Sequence, residues 1–365
     1  MHSSADASDS PEQQPEKPTT EREVRFEYSK SLVPVLEKLG ATLIVSTYQA
    51  GKLVVVGVRQ GKLELSFHNF DRVMGVAVGA DRIAVGVREQ LWMLINAPEI
   101  APQLEPRGEF DACFLARQSL FTGEIQVHDL AWGKQGLYVV NTLFSCVCQP
   151  HDRFSFVPIW KPPFVSALAS EDRCHLNGIA MHEGEMRYAT VLGQTDEPQG
   201  WRENKAEGGC LLEVPSGRVV AQGLCMPHSP RLHAGRLWLL NSGVGTLVEV
   251  QPDSGNTSVV ATLPGYTRGM ACLGPVAAIG LSKIRETSTF GGIPIAEDRD
   301  SLRCGVALVE LGSGKTLATL EFTEGVEEIF DVQWMPGIRC PSVSGPHATA
   351  EGGKTIWSVP QPGRG

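Results

Sequence analysis

From about residue 40 onward, short apolar runs alternate with turns carrying Gly, Pro, Asp or Asn. One unit recurs: an apolar run, a turn, and a second apolar run. It appears as "GVAVGADRIAVGVREQLWML" from Gly75, "DLAWGKQGLYVVNT" from Asp129 and "GIAMHEGEMRYATVLG" from Gly178. It returns as "SPRLHAGRLWLLNSGVGTLVEV" from Ser229, "GMACLGPVAAIGLS" from Gly269 and "DVQWMPGIRCPSV" from Asp331. Each unit reads as a β-hairpin. Two further strands follow most of them, for instance "GGCLLEV" and "GRVVAQGL", or "CGVALVEL" and "KTLATLEF". Four strands recurring at roughly 40–60 residues predict the blades of an all-β propeller.

The ends of the chain complete the count. "ATLIVSTYQ", "KLVVVGVRQ" and "KLELSFHNF" supply only three strands, and "EIFDVQWMP" supplies a first strand with little certain after it. Joined, they make one four-stranded blade from both termini, which closes the ring and removes its exposed edges. The prediction is a six-bladed propeller over residues 25–342; a further strand through "KTIWSVP" leaves seven blades open. A β-sandwich is the alternative, but it gives no reason for one hairpin to recur six times. Residues 1–24, rich in Ser, Pro, Glu and Gln, cannot bury enough apolar surface to order and read as a disordered tail. "SLVPVLEKLG" reads as a short helix ending near Gly40, and residues 343–365 as a C-terminal tail.

In a propeller the residue before each shared Gly, Asp or Ser opens an innermost strand, so these residues converge on the channel. They are Met74, His128, Asn177, His228, Arg268 and Phe330. The second strands end on the same face, at Tyr48, Arg88, Asn141, Gln194, Asn241 and Lys283. A ligand site on a rigid scaffold requires such convergence. His128, His228 and the less regularly placed His175, with Asn177, form a candidate ligand set for one divalent metal, zinc, manganese, iron or calcium. Asp129 or Asn141 would orient an imidazole. Arg268 and Lys283 suit a carboxylate or phosphate, and pairing of Arg268 with Glu327 or Glu328 is an equal use of it. The bland reading is that the histidines hydrogen-bond to neighbouring blades and hold the hub closed. His182 and His233, near turns, read as surface residues. Two long polar insertions, "GQTDEPQGWRENKAEGG" and "SKIRETSTFGGIPIAEDRDSLR", rise from the same face and are candidates for lids, for partner surfaces or for decoration.

Charge and composition narrow the partners. The net charge is −9 with no basic run, so nucleic acid and anionic membrane are not expected. No stretch approaches the roughly 18 apolar residues of a membrane span, and no secretory signal pattern opens the chain, so a cytoplasmic location is expected. The nine cysteines mostly sit within apolar runs, which suits a reducing compartment. Cys146 and Cys148 are spaced for one strand face, unlike zinc or thioredoxin-type motifs. "YQAGKL" lacks the spacing of a phosphate loop and reads as a hairpin turn.

Four segments together, "LIVSTYQAGKLVVVG", "HLNGIAMHEGEMRYAT", "PHSPRLHAGRLWLLNSG" and "FDVQWMPGIRCP", resemble a bacterial family of conserved hypothetical propeller proteins, some fused to tetratricopeptide repeats. The resemblance spans about residues 30–342; it implies the fold and no settled activity. More loosely, the pattern is similar to gluconolactonase and strictosidine-synthase propellers. Lactone-hydrolysing members hold calcium with Glu, Asn and Asp at the hub; Asn177 matches one Asn, whereas His128 and His228 stand where carboxylates would be expected. Histidine-lined hubs in other propellers accompany zinc, manganese or iron with lyase or oxygenase chemistry. Two functions therefore stay open. One is a propeller that binds a small molecule, as a metal-dependent enzyme of lyase or hydrolase type acting on an anionic small molecule or modified amino acid or peptide at the polar mouth of the channel, with Arg268, Asp129 and Asn141 in catalytic roles. The other is a non-catalytic propeller that binds a peptide or protein partner.

Overall fold

The computed structural model describes residues 23–284 and 290–359. Most of the predicted N-terminal tail thus lies outside the described residues. Six sheets form a ring, each with an innermost strand facing the channel. The innermost strands, blades one to six, are Asp331–Pro336, Val76–Val78, Val127–Gly133, Leu176–His182, Pro227–His233 and Tyr266–Leu273. Blade one joins the two ends as expected: Asp331–Pro336 pairs antiparallel with Ala41–Ser46, followed by Lys52–Arg59 and Lys62–Asn69. There is no seventh blade among the described residues.

The hydrophobic pattern follows from the stacking. Each blade is covered on both faces, so a middle strand such as Ala41–Ser46 or Val276–Ser282 is buried along its whole length. Successive side chains point to opposite faces. In blade one, Leu43, Val45, Val54 and Val56 pack toward blade six, while Ile44, Leu53 and Val55 pack toward blade two. Six apolar cores result, one between each pair of neighbours.

One terminal strand is new, and the other departs from the expected hairpin: the second run of "DVQWMPGIRCPSV" does not fold back on Asp331–Pro336, whose partner is Ala41–Ser46. Arg25–Tyr28 adds a fifth strand to blade six, antiparallel to Thr316–Glu324. Pro341–Ser344 adds one to blade two, parallel to Ala112–Phe121. The extra C-terminal strand is therefore this segment and not "KTIWSVP", which carries no strand over its described residues, 354–359. Both additions cover outer edges that would otherwise expose unpaired backbone groups. The predicted helix is present as Leu32–Leu39, closed by Gly40 at φ 59°, with Leu32 and Leu36 buried between blades six and one.

The shared column reads Gly75, Asp129, Gly178, Ser229, Gly269, Asp331 around the ring, and this alternation has a structural cause. Each Asp or Ser reaches the next blade's backbone: Asp129 accepts from the Ile179 N–H at 3.0 Å, Ser229 from Gly269 at 3.1 Å and Asp331 from Val76 at 2.9 Å. The glycines sit where the next blade's backbone leaves no room. A Cβ at Gly75 would lie 3.1 Å from the Asp129 Cα, and one at Gly269 would lie 2.6 Å from the Asp331 Cα. The hub is thus built from three blade pairs.

Arg231 spans the channel from blade five. Its guanidinium donates to both oxygens of Asp129, at 2.9 and 3.2 Å, and its Nε donates to the Met270 carbonyl. Asp331 is a second buried carboxylate, beside this pair. Burial first, and Asp129 second, push its carboxyl up to about 7, against the pull of Arg231. A carboxyl raised in the fold favours the protonated state, so its stabilising contribution is complete below about pH 4 and is lost as pH rises through about 7. Urea unfolding should show stability falling across that window by at most about 1.4 kcal/mol per pH unit from this group. Asp331→Asn should remove that part of the slope; an unchanged slope would show that another group carries it.

Candidate functional site

Above the Arg231 bridge, polar and aromatic rings gather at the starts of the innermost strands in two runs. Tyr48 packs on Phe330 (ring centroids 5.3 Å), Phe330 on His128 (5.2 Å) and His128 on His175 (4.7 Å). His175 then meets Trp201 (4.5 Å). Across the mouth, His228 meets Tyr266 (5.8 Å), which meets Phe290 (5.1 Å). The Arg268 guanidinium lies 3.4 Å from the Phe330 ring centre and donates to Glu328 at 3.2 Å.

Both long insertions contribute. Trp201 comes from the first and Phe290 from the second. Their apolar residues share one cluster with Leu192, Met226 and Tyr266, so the described parts of the insertions form a packed wall of the mouth. A cavity of about 750 Å³ lined by Gln49, Glu324, Glu327 and Glu328 adjoins it, with Glu328 common to both.

His128 and His228 are held alike. The Nδ1 of His128 contacts the Gln126 carbonyl at 3.0 Å and that of His228 the Met226 carbonyl at 2.9 Å, in each case two residues back. Gln126 and Met226 both adopt the left-handed backbone, φ 55° and 50°, which turns the carbonyl toward the ring. A carbonyl only accepts, so the ring proton sits on Nδ1 and Nε2 is left as an acceptor. Burial first, then His175 and Arg268 for His128 and Arg268 for His228, hold both imidazoles well below the usual histidine range and therefore neutral.

His175 differs. It occupies the left-handed position itself, φ 49°, three residues before its shared glycine, which is why its place in the repeat looked irregular. Its Nδ1 lies 2.9 and 3.0 Å from the two oxygens of buried Asp172, and Oδ2 also accepts the Trp201 indole N–H at 3.0 Å.

Other expected site residues are placed elsewhere. Among the described residues, no three His, Cys, Asp or Glu side chains come together in a way that could hold a metal ion. The expected set of His128, His175, His228 and Asn177 is not assembled as ligands. Asn177 is committed to structure, donating to the Pro227 carbonyl at 3.0 Å and accepting from Thr190 at 2.7 Å. Asp129 orients no imidazole and faces no open water, because Arg231 and backbone N–H groups take both its oxygens. Asn141 is fully buried and accepts the Phe144 N–H, holding the turn after its strand. Cys146 and Cys148 are buried; their mutual contact and burial push the Cys148 thiol well up, away from a reactive thiolate.

The sequence reading missed Asp172, Trp201 and Arg231. A signal existed for Asp172. Six residues before the shared position, blades three, five and one carry Gly123, Gly223 and Gly325, all left-handed (φ 74°, 74° and 85°), whereas blade four carries Asp172 at φ 49°.

A family model described as "Domain of unknown function (DUF4915)" matches residues 30–344. No curated protein sequence matches the chain. Among solved structures, a chain of the nidogen/laminin complex aligns at 13% identity and TM-score 0.47, covering 81% of this chain and 99% of that one. A protein of unknown function from Bacteroides caccae aligns at 10% identity and TM-score 0.49, covering 81% and 98%.

Proposed function

The chain belongs to the DUF4915 family, whose domain has no assigned function, and we propose that this propeller binds a small anionic molecule at the histidine-lined mouth, with Arg268 as its anchor. The observation that carries this reading is the setting of Arg268. Its side chain is only 12% exposed, is stacked on Phe330, and stands close enough to two neutral imidazoles to shift their titration. Burial lowers its pKa, partly offset by Glu328. Arg nevertheless keeps its proton in proteins. Glu328 is the one hydrogen-bond acceptor of this guanidinium seen among the described residues. The remaining donors suit a carboxylate or phosphate, and the neutral Nε2 atoms of His128 and His228 suit hydroxyl or amide donors on the same molecule.

The test is calorimetric titration of the parent and Arg268→Gln with small carboxylates and phosphate esters, run both with chelator and with zinc, manganese, iron or calcium added. Binding by the parent should weaken at least about tenfold in the variant, since hydrogen bonds to charged groups contribute about 1.5–3 kcal/mol. Equal affinity in both proteins, or no anion binding by the parent under any condition, would overturn the reading. Affinity that appears only with added metal would revive a metal-assisted site.

A further inference from the structure

We infer that His175 is a general base of this mouth, taking a proton from the carbon next to a carboxylate anchored at Arg268; this rests on the anion-binding reading above.

The argument starts from the difference among the three imidazoles. His128 and His228 have carbonyls behind Nδ1 and stay neutral acceptors. His175 has a buried carboxylate there, which fixes the Nδ1–H tautomer and stabilises the imidazolium once Nε2 accepts a proton. No partner of its Nε2 is seen among the described residues. Trp201 donates to the same carboxylate and packs on the imidazole, so two contacts from one side chain fix the pair.

The backbone supplies an independent indication. Asp172 stands where three other blades use a left-handed glycine, and Asp at positive φ carries backbone strain that Gly would avoid. Such strain is retained where the side chain is needed. The ring contacts from His175 through His128 and Phe330 to Arg268 place base and anchor in one mouth.

In the step, the carbon–hydrogen bond next to the carboxylate breaks and its proton goes to the His175 Nε2. The electron pair moves into the carboxylate, giving an enediolate held against the guanidinium. Return of a proton from His175, after exchange with solvent, restores the acid. No oxidant or reductant is needed. Asp172 and Trp201 are positioning residues.

The experiment incubates the full chain with lactate, malate or aspartate in deuterium oxide, follows loss of the α-proton signal by NMR, and measures binding of the same probes by calorimetry. The parent should bind and exchange at least one probe. His175→Gln should slow exchange about 100-fold or more. Asp172→Asn keeps a residue that tolerates the left-handed backbone; it should slow exchange at saturating probe about tenfold or more while leaving the dissociation constant within about twofold. Binding without exchange by the parent, or exchange that survives His175→Gln, would overturn the inference and leave anion binding standing. Absence of binding by all three probes would overturn the inference, and the anion-binding reading would then be decided by the titrations with phosphate esters and other carboxylates.

Discussion

Asp129→Ala should unfold about 3–5 kcal/mol more readily than the parent, the penalty for leaving one charge of a buried pair without its partner. The Asp129 side chain is 5% exposed and that of Arg231 is 18% exposed, so water cannot replace the lost carboxylate for free. The same change orphans the Ile179 N–H on blade four. Urea unfolding near pH 7 measures the loss. Asp129→Ala combined with Arg231→Met should recover part of it, because the second change removes the orphaned charge. If the double variant were as unstable as the sum of the two singles, the pair would not be the source of the effect. Asp331 also shapes the outcome: removing Asp129 removes its upward push on the Asp331 carboxyl and leaves the pull of Arg231, so Asp331 ionises at lower pH in the variant and faces the guanidinium, and the loss should shrink as pH rises toward about 7.

Gly269→Ala should cost about 3 kcal/mol or more, from two sources that add. At φ +77° any L side chain is strained, and the new methyl would meet backbone: the Asp331 Cα at 2.6 Å and the Val332 nitrogen at 2.7 Å. Neither can swing aside as a flexible side chain would. Gly274→Ala separates the sources, since Gly274 is also left-handed (φ +54°) but has open space around its Cβ position. It should cost only about 1–2 kcal/mol, the backbone part alone. Equal losses in the two variants would show that the close approach of blades six and one contributes nothing.

The blades were legible because the evidence for them is local. An apolar run, a turn and a second run report a hairpin wherever they occur, and six repeats report a ring. The column of Met74, His128, Asn177, His228, Arg268 and Phe330 was legible for the same reason: a shared register fixes where each strand starts. What each residue does at that start was not. His128 and Asp129 are consecutive, yet one ring faces the mouth while the carboxylate turns into the channel toward Arg231, which lies 102 residues on. Asn177, read as a ligand, is consumed by Thr190 and by the backbone of blade five.

The sequence by itself determined the repeating units, the closure of blade one by both ends, and the set of residues that open the innermost strands. It held, unread, the replacement of a glycine by Asp172. Only the tertiary structure decided which of those residues pair with one another, that Trp201 and Phe290 return from the insertions to the mouth, and that Arg231 bridges the channel. The physical reason is range. Alternation of apolar and polar side chains and turn chemistry act over a few residues and leave a trace in each segment, whereas the partner of a buried charge or imidazole is chosen by which strands the closed ring brings side by side.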